Sequence, residues 1–134
     1  MTKALSPLDG RYRDKTYSLS LFFSEESILK SKFNLEIDYL KFLNKTLSLG
    51  YNEIIFSNIR SGFLESSIIN IEKTKTKHDI KAIELYIGES ISLWHPAADG
   101  LIPFIHFGLT SQDINSLATS NAISSWHKKF GLEI

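Results

Sequence analysis

The sequence predicts an all-α fold for this chain of 134 residues. Apolar residues recur at spacings of three and four in two long segments, near 29–47 and 80–91, as they do on one face of an α-helix. Residues that favour helix starts precede both segments. No segment has the sustained alternation of apolar and polar residues that indicates a half-buried β-strand.

The strongest helical pattern begins after Ser24, the predicted N-cap. Glu25 and Glu26 follow in the first turn, where the helix dipole favours negative charge. Six apolar side chains then form one stripe: Leu29, Phe33, Ile37, Leu40, Leu43 and Leu47. The stripe ends before Gly50, which is the predicted C-cap.

Two further helices are predicted in the middle of the chain. A weaker pattern covers roughly 57–72, where several serines and Gly62 lower the helix propensity. A second strong pattern predicts a helix from about Asp79 to Ser92. Its apolar stripe consists of Ile80, Ile83, Ile87 and Ile91.

The last third of the chain combines an irregular connection with one more helix. Residues 95–108 contain two prolines and two glycines, which predict an irregular segment with a short helical turn. Its aromatic residues and the preceding Trp94 are interpreted as core side chains. Thr110 and Asp113 then have the spacing of a capping box, which predicts a helix start.

The composition limits the classes of function. Fifteen basic residues balance fifteen acidic ones, so no overall field would attract nucleic acid or an anionic membrane. The absence of cysteine excludes disulfides and thiolate nucleophiles, and the four histidines lack metal-ligand spacing. No apolar run approaches the ~20 residues of a membrane span. We therefore expect a soluble, cytoplasmic protein with no metal, nucleic-acid or membrane partner.

The segment KTKTKHDIKA at 73–82 places several lysines around His78 and Asp79. Because the first N–H groups of a helix are unpaired and its dipole is positive there, a predicted helix start is a candidate anion site. Lys75, Lys77 and Lys81 would add positive charge. The alternative is that the lysines are solvated surface residues and that His78 only caps the helix.

Two other segments allow a structural and a functional interpretation. The Asp-Gly pair at 9–10 is typical of a turn, and the next residues, Arg11 and Tyr12, are either surface residues or part of a phosphate site. Thr110 and Ser111 either cap a helix or also bind a carboxylate or phosphate.

Taken together, three motifs resemble one enzyme family. They are SPLDGRY at 6–12, TKHDIKAIE at 76–84 and HFGLTSQDIN at 106–115. Their order and amino-acid sequences are similar to those of adenylosuccinate lyase, a member of the fumarase/aspartase superfamily. The resemblance covers residues 3 to about 123. The resemblance implies the helical N-terminal domain of that lyase fold.

The resemblance also implies a reaction. The family releases fumarate by β-elimination, from adenylosuccinate to give AMP and from succinylaminoimidazole carboxamide ribotide earlier in purine biosynthesis. It uses no metal or redox cofactor. Its members are homotetramers in which each active site takes residues from more than one subunit.

Several roles follow from this resemblance. Arg11 and Tyr12 would hold the nucleotide phosphate. His78 and Asp79 would line the substrate pocket, and His78 would support catalysis by orienting or polarising the substrate. Lys77, beside them, stands where some family members have asparagine.

The third motif implies a second group of substrate contacts. Thr110 and Ser111 would bind the succinyl carboxylate, and Gln112 would lie beside the same pocket. All three residues precede or begin the last predicted helix.

Family members are much longer than this chain, so the resemblance implies a truncated lyase. Residues 1–111 would form the N-terminal domain, and residues 112–134 would begin the central helical bundle, with a divergent tail after about 123. The general-acid histidine and the serine-bearing loop of the family have no counterpart here. We therefore expect a fragment that is inactive alone. The alternative is a non-catalytic helical module that binds a nucleotide or another protein.

Overall fold

Helices dominate residues 3–131, which are the residues that the computed structural model describes. Six α-helices follow one another: α1 (Arg13–Phe23), α2 (Glu25–Thr46), α3 (Ile54–Ser61), α4 (Glu65–Ile71), α5 (Asp79–Trp94) and α6 (Ser111–Phe130). A π-helical turn spans Glu72–Thr76, and a 3₁₀ segment spans Pro96–Phe104. These residues contain no strand, so the all-α prediction is confirmed. None of their helices has the length and apolar character needed to span a membrane.

Helix α2 forms the centre of the fold and contacts every other α-helix. It begins as predicted, because the Ser24 side chain accepts a hydrogen bond of 3.2 Å from the N–H of Ser27. The predicted stripe is buried from Leu29 to Leu43. Those side chains meet apolar residues of α3, α4 and α5 in one continuous core.

The predicted end of α2 at Gly50 is wrong. The helix ends at Thr46 and Leu47 is its C-cap, after which Ser48 takes a left-handed conformation with φ of 52°. The Asn44 side chain donates to the carbonyl of Tyr51 at 2.9 Å and accepts from its N–H at 3.1 Å. This paired contact holds the chain as it turns away from α2.

The predicted helix over 57–72 is divided into α3 and α4. The break occurs at Gly62, where an added Cβ would stand 2.2 Å from a ring carbon of Trp94. The hydroxyl of Tyr86 also donates a hydrogen bond to the carbonyl of Gly62. Both partners lie on α5, so tertiary contacts favour the break over a continuous helix.

Helix α5 is confirmed at both ends within two residues, and Ile83, Ile87 and Ile91 have no exposed surface. The 3₁₀ segment covers α5 from the outside, which agrees with the irregular connection predicted there. The prediction of core aromatics is wrong for two side chains. Trp94 is 44% exposed and Phe107 is 57% exposed, because both lie at the edge of the core.

Helices α1 and α6 pack against α2 and against each other. Helix α1 was not predicted. Its Phe22 ring meets Phe130 of α6 edge to face, with centroids 6.1 Å apart. Helix α6 continues without a break through residue 123 to Phe130. The domain division at 111/112 stays a prediction, and the last part of the predicted tail, 132–134, lies outside the described residues.

Two phenylalanines of α2 test how much the core contributes to stability. Phe33 has no exposed surface, and its ring centroid lies 5.2 Å from that of Phe63. We expect Phe33→Ala to lower the free energy of unfolding by about 3–5 kcal/mol, because it removes a large buried side chain and leaves a cavity. Phe42 on the same helix is 57% exposed, so Phe42→Ala is the control. Urea denaturation of both variants gives the comparison, and equal losses would contradict the assigned core.

Candidate anion-binding site

The start of α5 is built by a tight turn around His78. Lys77 has a left-handed φ of 55° and reverses the chain after the π-helical turn. His78 is the N-cap, and its Nδ1 accepts a hydrogen bond of 3.4 Å from the N–H of Lys81. The neutral imidazole therefore carries its proton on Nε2. Because the side chain is half exposed, Nε2 can act as a donor at the surface.

Two of the three lysines near this helix start pair with carboxylates, and the third donates to the backbone. Lys75 pairs with Glu89 at 3.1 Å, and Lys81 pairs with Glu84 at 2.8 Å. The Nζ of Lys77 donates a hydrogen bond to a backbone carbonyl of the preceding turn. These partners lie on α5 or in the π-helical turn, and sequence spacing alone did not identify them.

Asp79 is held by a lysine from another helix. The Nζ of Lys32 on α2 lies 2.6 Å from Oδ2 of Asp79, and the Lys32 side chain is only 14% exposed. Burial alone would raise the pKa of Asp79. The hydrogen bonds from Lys32 and from the N–H of Ile80, together with the charge of Lys32, outweigh burial and lower this pKa. Asp79 is therefore a fixed carboxylate that borders a cleft of about 530 Å³ between α2 and α4.

The start of α6 has the predicted capping box. The N–H and the hydroxyl of Thr110 both donate to Oδ2 of Asp113, at 2.7 and 2.9 Å. The N–H and then the hydroxyl of Thr110 lower the pKa of Asp113. Ser111 is half-buried and follows directly. Gln112 is exposed, and its amide nitrogen donates to the hydroxyl of Ser116 at 3.0 Å.

The turn before α6 is tied to α2 by two side chains. The Nδ1 of His106 lies 2.5 Å from Oε1 of Glu36, which has no exposed surface. Three residues later on α2, the hydroxyl of Tyr39 donates to the carbonyl of Phe107 at 2.7 Å. Glu36 and Lys32 were not predicted from the sequence, since no local signal distinguishes a buried ionic residue from a surface one.

These contacts bring two predicted site segments to the same helix. Lys32 and Glu36 are four residues apart on α2, so they share one face and lie about 6 Å apart along the helix axis. Lys32 holds the start of α5, and Glu36 holds the turn that leads into α6. The N-termini of α5 and α6 are therefore fixed to adjacent turns of α2.

Arg11 and Tyr12 stand apart from this arrangement. The Asp-Gly turn is confirmed, since the N–H of Gly10 donates to the carbonyl of Pro7 at 3.3 Å. Both side chains are exposed, and the Arg11 guanidinium lies 5.2 Å from the centre of the Tyr12 ring. Within residues 3–131 they form no hydrogen bond or ion pair with α5 or α6.

The described part of the chain contains no group of three or more His, Asp or Glu side chains placed to hold a metal ion. The candidate site consists of helix N-termini, one half-exposed imidazole, hydroxyl groups and the ion pairs that fix them. Such a site can bind carboxylates or phosphate through N–H and O–H donors.

Comparison with known proteins identifies relatives with a common name. The chain is 39% identical to the adenylosuccinate lyase of Dictyostelium discoideum, over 86% of this chain and 27% of that protein. It is 38% identical to that of Buchnera aphidicola subsp. Acyrthosiphon pisum, over 98% of this chain and 30% of the relative. It is 36% identical to the adenylosuccinate lyase of Haemophilus influenzae, over 91% of this chain and 28% of that protein. No protein-family model matches the chain. The chain spans less than a third of the length of these curated relatives.

The ion pair of Lys32 and Asp79 predicts a change in acid stability. Because the pKa of Asp79 is lowered from 3.8, the stability that its ionised form contributes is present above that value and is lost as the pH falls through the lowered pKa. We expect Lys32→Met to remove this part of the acid dependence, since burial then acts unopposed by the lysine. We also expect a loss of about 1–2 kcal/mol at neutral pH.

Lys45→Met is the matched control, because Lys45 is an exposed lysine of the same helix. Urea denaturation between about pH 2 and pH 7 measures both effects. Identical pH profiles for the two variants would refute the assigned role of Lys32.

Proposed function

Because this chain is a sequence relative of the adenylosuccinate lyases along nearly its whole length, we propose that it forms the part of such an enzyme that holds the anionic groups of a succinylated nucleotide. The enzyme would be cytoplasmic and would serve AMP biosynthesis. It would release fumarate from adenylosuccinate and from succinylaminoimidazole carboxamide ribotide.

The main support for this proposal is the placement of two helix N-termini. The N-termini of α5 and α6 are held on one face of α2 through Lys32 and Glu36. Both proposed substrates carry two succinyl carboxylates and a phosphate, so they need several donors in one place. The two helix N-termini supply such donors through their positive dipole ends and through the N–H groups that the caps leave unpaired.

His78 has a supporting role in this proposal. β-Elimination breaks the C–N bond while a base takes a proton from carbon and an acid gives one to the leaving nitrogen. In the neutral imidazole Nδ1 accepts from Lys81, which leaves Nε2–H as a donor to the substrate. This geometry favours a residue that orients or polarises the substrate, and it disfavours His78 as the base.

Ser111 is the proposed hydroxyl donor to a succinyl carboxylate. The hydroxyl of Thr110 already donates its hydrogen bond to Asp113, so Thr110 contributes mainly by defining where α6 begins. The hydroxyl of Ser111 makes no such bond among the described residues. Gln112 lies one position further along the same turn and would border the ligand.

The phosphate is assigned to Arg11 and Tyr12, with Lys77 and Asp79 lining the succinyl-nucleotide pocket. The exposed guanidinium of Arg11 can bind a phosphate through two parallel hydrogen bonds. In the proposed homotetramer, these two residues would reach the α5 and α6 site of a neighbouring subunit. This arrangement accounts for their separation from that site within one chain.

The second candidate is a non-catalytic helical module that binds a nucleotide or a protein partner. Its support is that the contacts fixing α5 and α6 lie entirely within residues 3–131. Anion binding would then need no further domain, whereas elimination needs both a base and an acid.

We expect the 134-residue chain alone to release no fumarate from adenylosuccinate at an enzyme-like rate. Its described site offers one supporting imidazole and no separate base. A continuous assay of fumarate release measures this, with the adenylosuccinate lyase of Haemophilus influenzae as the positive control. Sustained turnover by the chain would refute the requirement for further catalytic residues.

Fumarate affinity tests whether Ser111 has a role in binding that other serines of α6 lack. We expect Ser111→Ala to weaken fumarate binding about tenfold, the value of one hydrogen bond to a charged group. Ser120→Ala is the control, because Ser120 is an exposed serine of the same helix. NMR titration of the three proteins gives the affinities. If the two variants bind equally well, Ser111 is not the donor.

A further inference from the structure

Glu36 is a buried charged residue whose presence is not explained by core packing. Three polar residues of the described chain are buried, and Glu36 is the only charged one. Its Oε2 has no hydrogen-bond partner within residues 3–131. An unpaired buried oxygen costs about 1–3 kcal/mol, and replacing both members of a buried ionic pair by apolar side chains of similar volume is often neutral or stabilising. Packing alone would therefore favour apolar residues at both positions of the Glu36–His106 pair.

The partner of Glu36 lies in a turn that is unfavourable by itself. His106 has a φ of +58°, and Gly108 has a φ of +75°. A left-handed conformation is rare for a residue with a side chain, and its strain persists only where the surrounding structure enforces it. Within the turn, the N–H of Leu109 donates to the carbonyl of His106 at 3.2 Å.

Helix α2 supplies the contacts that enforce this turn. Glu36 binds the His106 ring, and Tyr39 binds the carbonyl of Phe107. The two α2 residues are three positions apart and therefore share a face. They hold consecutive residues of the turn, and only three residues separate His106 from the N-cap Thr110.

We propose that Glu36 is a positioning residue for the N-terminus of α6, and that it acts through the imidazole of His106. Glu36 fixes the ring, the ring fixes the left-handed turn, and the turn sets where Ser111 stands relative to α2. Glu36 itself touches no ligand. We rest the functional part of this inference on the proposed function, which takes Ser111 as a donor to a carboxylate.

The charges around the pair give it a distinct pH dependence. Burial raises the pKa of Glu36, His106 opposes this effect, and the negative charge of Glu84 on α5 adds to it. Glu84 is itself paired with Lys81, and from α6 Asp113 faces His106.

Because the net shift of the Glu36 pKa is upward from 4.5, the folded chain retains this proton to a higher pH than the unfolded chain. The stability linked to the proton is present below 4.5 and is lost as the pH rises through the raised pKa. A side chain that cannot titrate at position 36 would remove this dependence.

Two variants separate positioning from stability. In Glu36→Leu the unpaired Oε2 disappears, but Nδ1 of His106, whose side chain is 13% exposed, loses its partner, so we expect a free energy of unfolding below that of the unmodified chain. We expect amide hydrogen exchange at Leu109 and Thr110 to become about tenfold faster and fumarate binding to become about tenfold weaker.

Glu36→Gln keeps an oxygen that can accept from Nδ1–H of His106. We expect this variant to restore the exchange rates and the fumarate affinity to within about twofold of the unmodified chain. A twofold change corresponds to less free energy than the loss of one hydrogen bond. The variant cannot titrate, so the loss of stability with rising pH that is linked to Glu36 should disappear.

Asn44→Leu is the control for a purely structural effect. Asn44 is buried on the same helix but binds Tyr51 rather than the turn before α6. We expect this variant to lower the free energy of unfolding while leaving local exchange at Leu109 and Thr110 unchanged.

Each outcome of these measurements decides the proposal. Unchanged amide exchange at Leu109 and Thr110 in Glu36→Leu would overturn the proposal. The proposal would also fail if a loss of global stability accounted for the faster exchange and Glu36→Gln did not restore that stability. If the unmodified chain binds no fumarate, the proposed function fails. The exchange data would still support or overturn the role of Glu36 in holding the turn.

Discussion

The structure depends on one face of α2, where two ionic side chains one turn apart connect distant segments. Lys32 holds the start of α5, and Glu36 holds the turn before α6. The apolar stripe of α2 forms the core together with α3, α4 and α5. The ionic contacts determine the positions of two helix N-termini.

Helix N-termini suit the recognition of a substrate with several negative charges. Their donors are backbone N–H groups, whose positions are set by the helices rather than by flexible side chains. In this chain the cationic side chains largely serve the structure: Lys32, Lys75 and Lys81 all pair with carboxylates. In the proposed site, anion recognition at α5 and α6 would rely on helix dipoles, hydroxyls, one imidazole and Lys77. A site built in this way selects a ligand by geometry more than by charge.

The site also combines rigid and strained elements. Asp79 and Thr110 are fixed by short hydrogen bonds with Lys32 and Asp113. His106 keeps a left-handed backbone conformation because α2 holds both its ring and the next carbonyl. Strain of this kind is stable only when neighbouring contacts over-determine the turn. The same contacts restrict the conformations of the turn, so a bound ligand would have less conformational entropy to remove from it.

The sequence by itself determined the all-α class, the starts of α2, α5 and α6, and the residues at the two helix N-termini. Periodicity and capping act over three or four residues, so a single chain segment carries that information. Tertiary structure alone decided the break at Gly62, the burial of Glu36 and the pairing of Lys32 with Asp79. Those features join residues 32, 47 and 70 positions apart. Contacts across such distances depend on how helices pack, which no local pattern encodes.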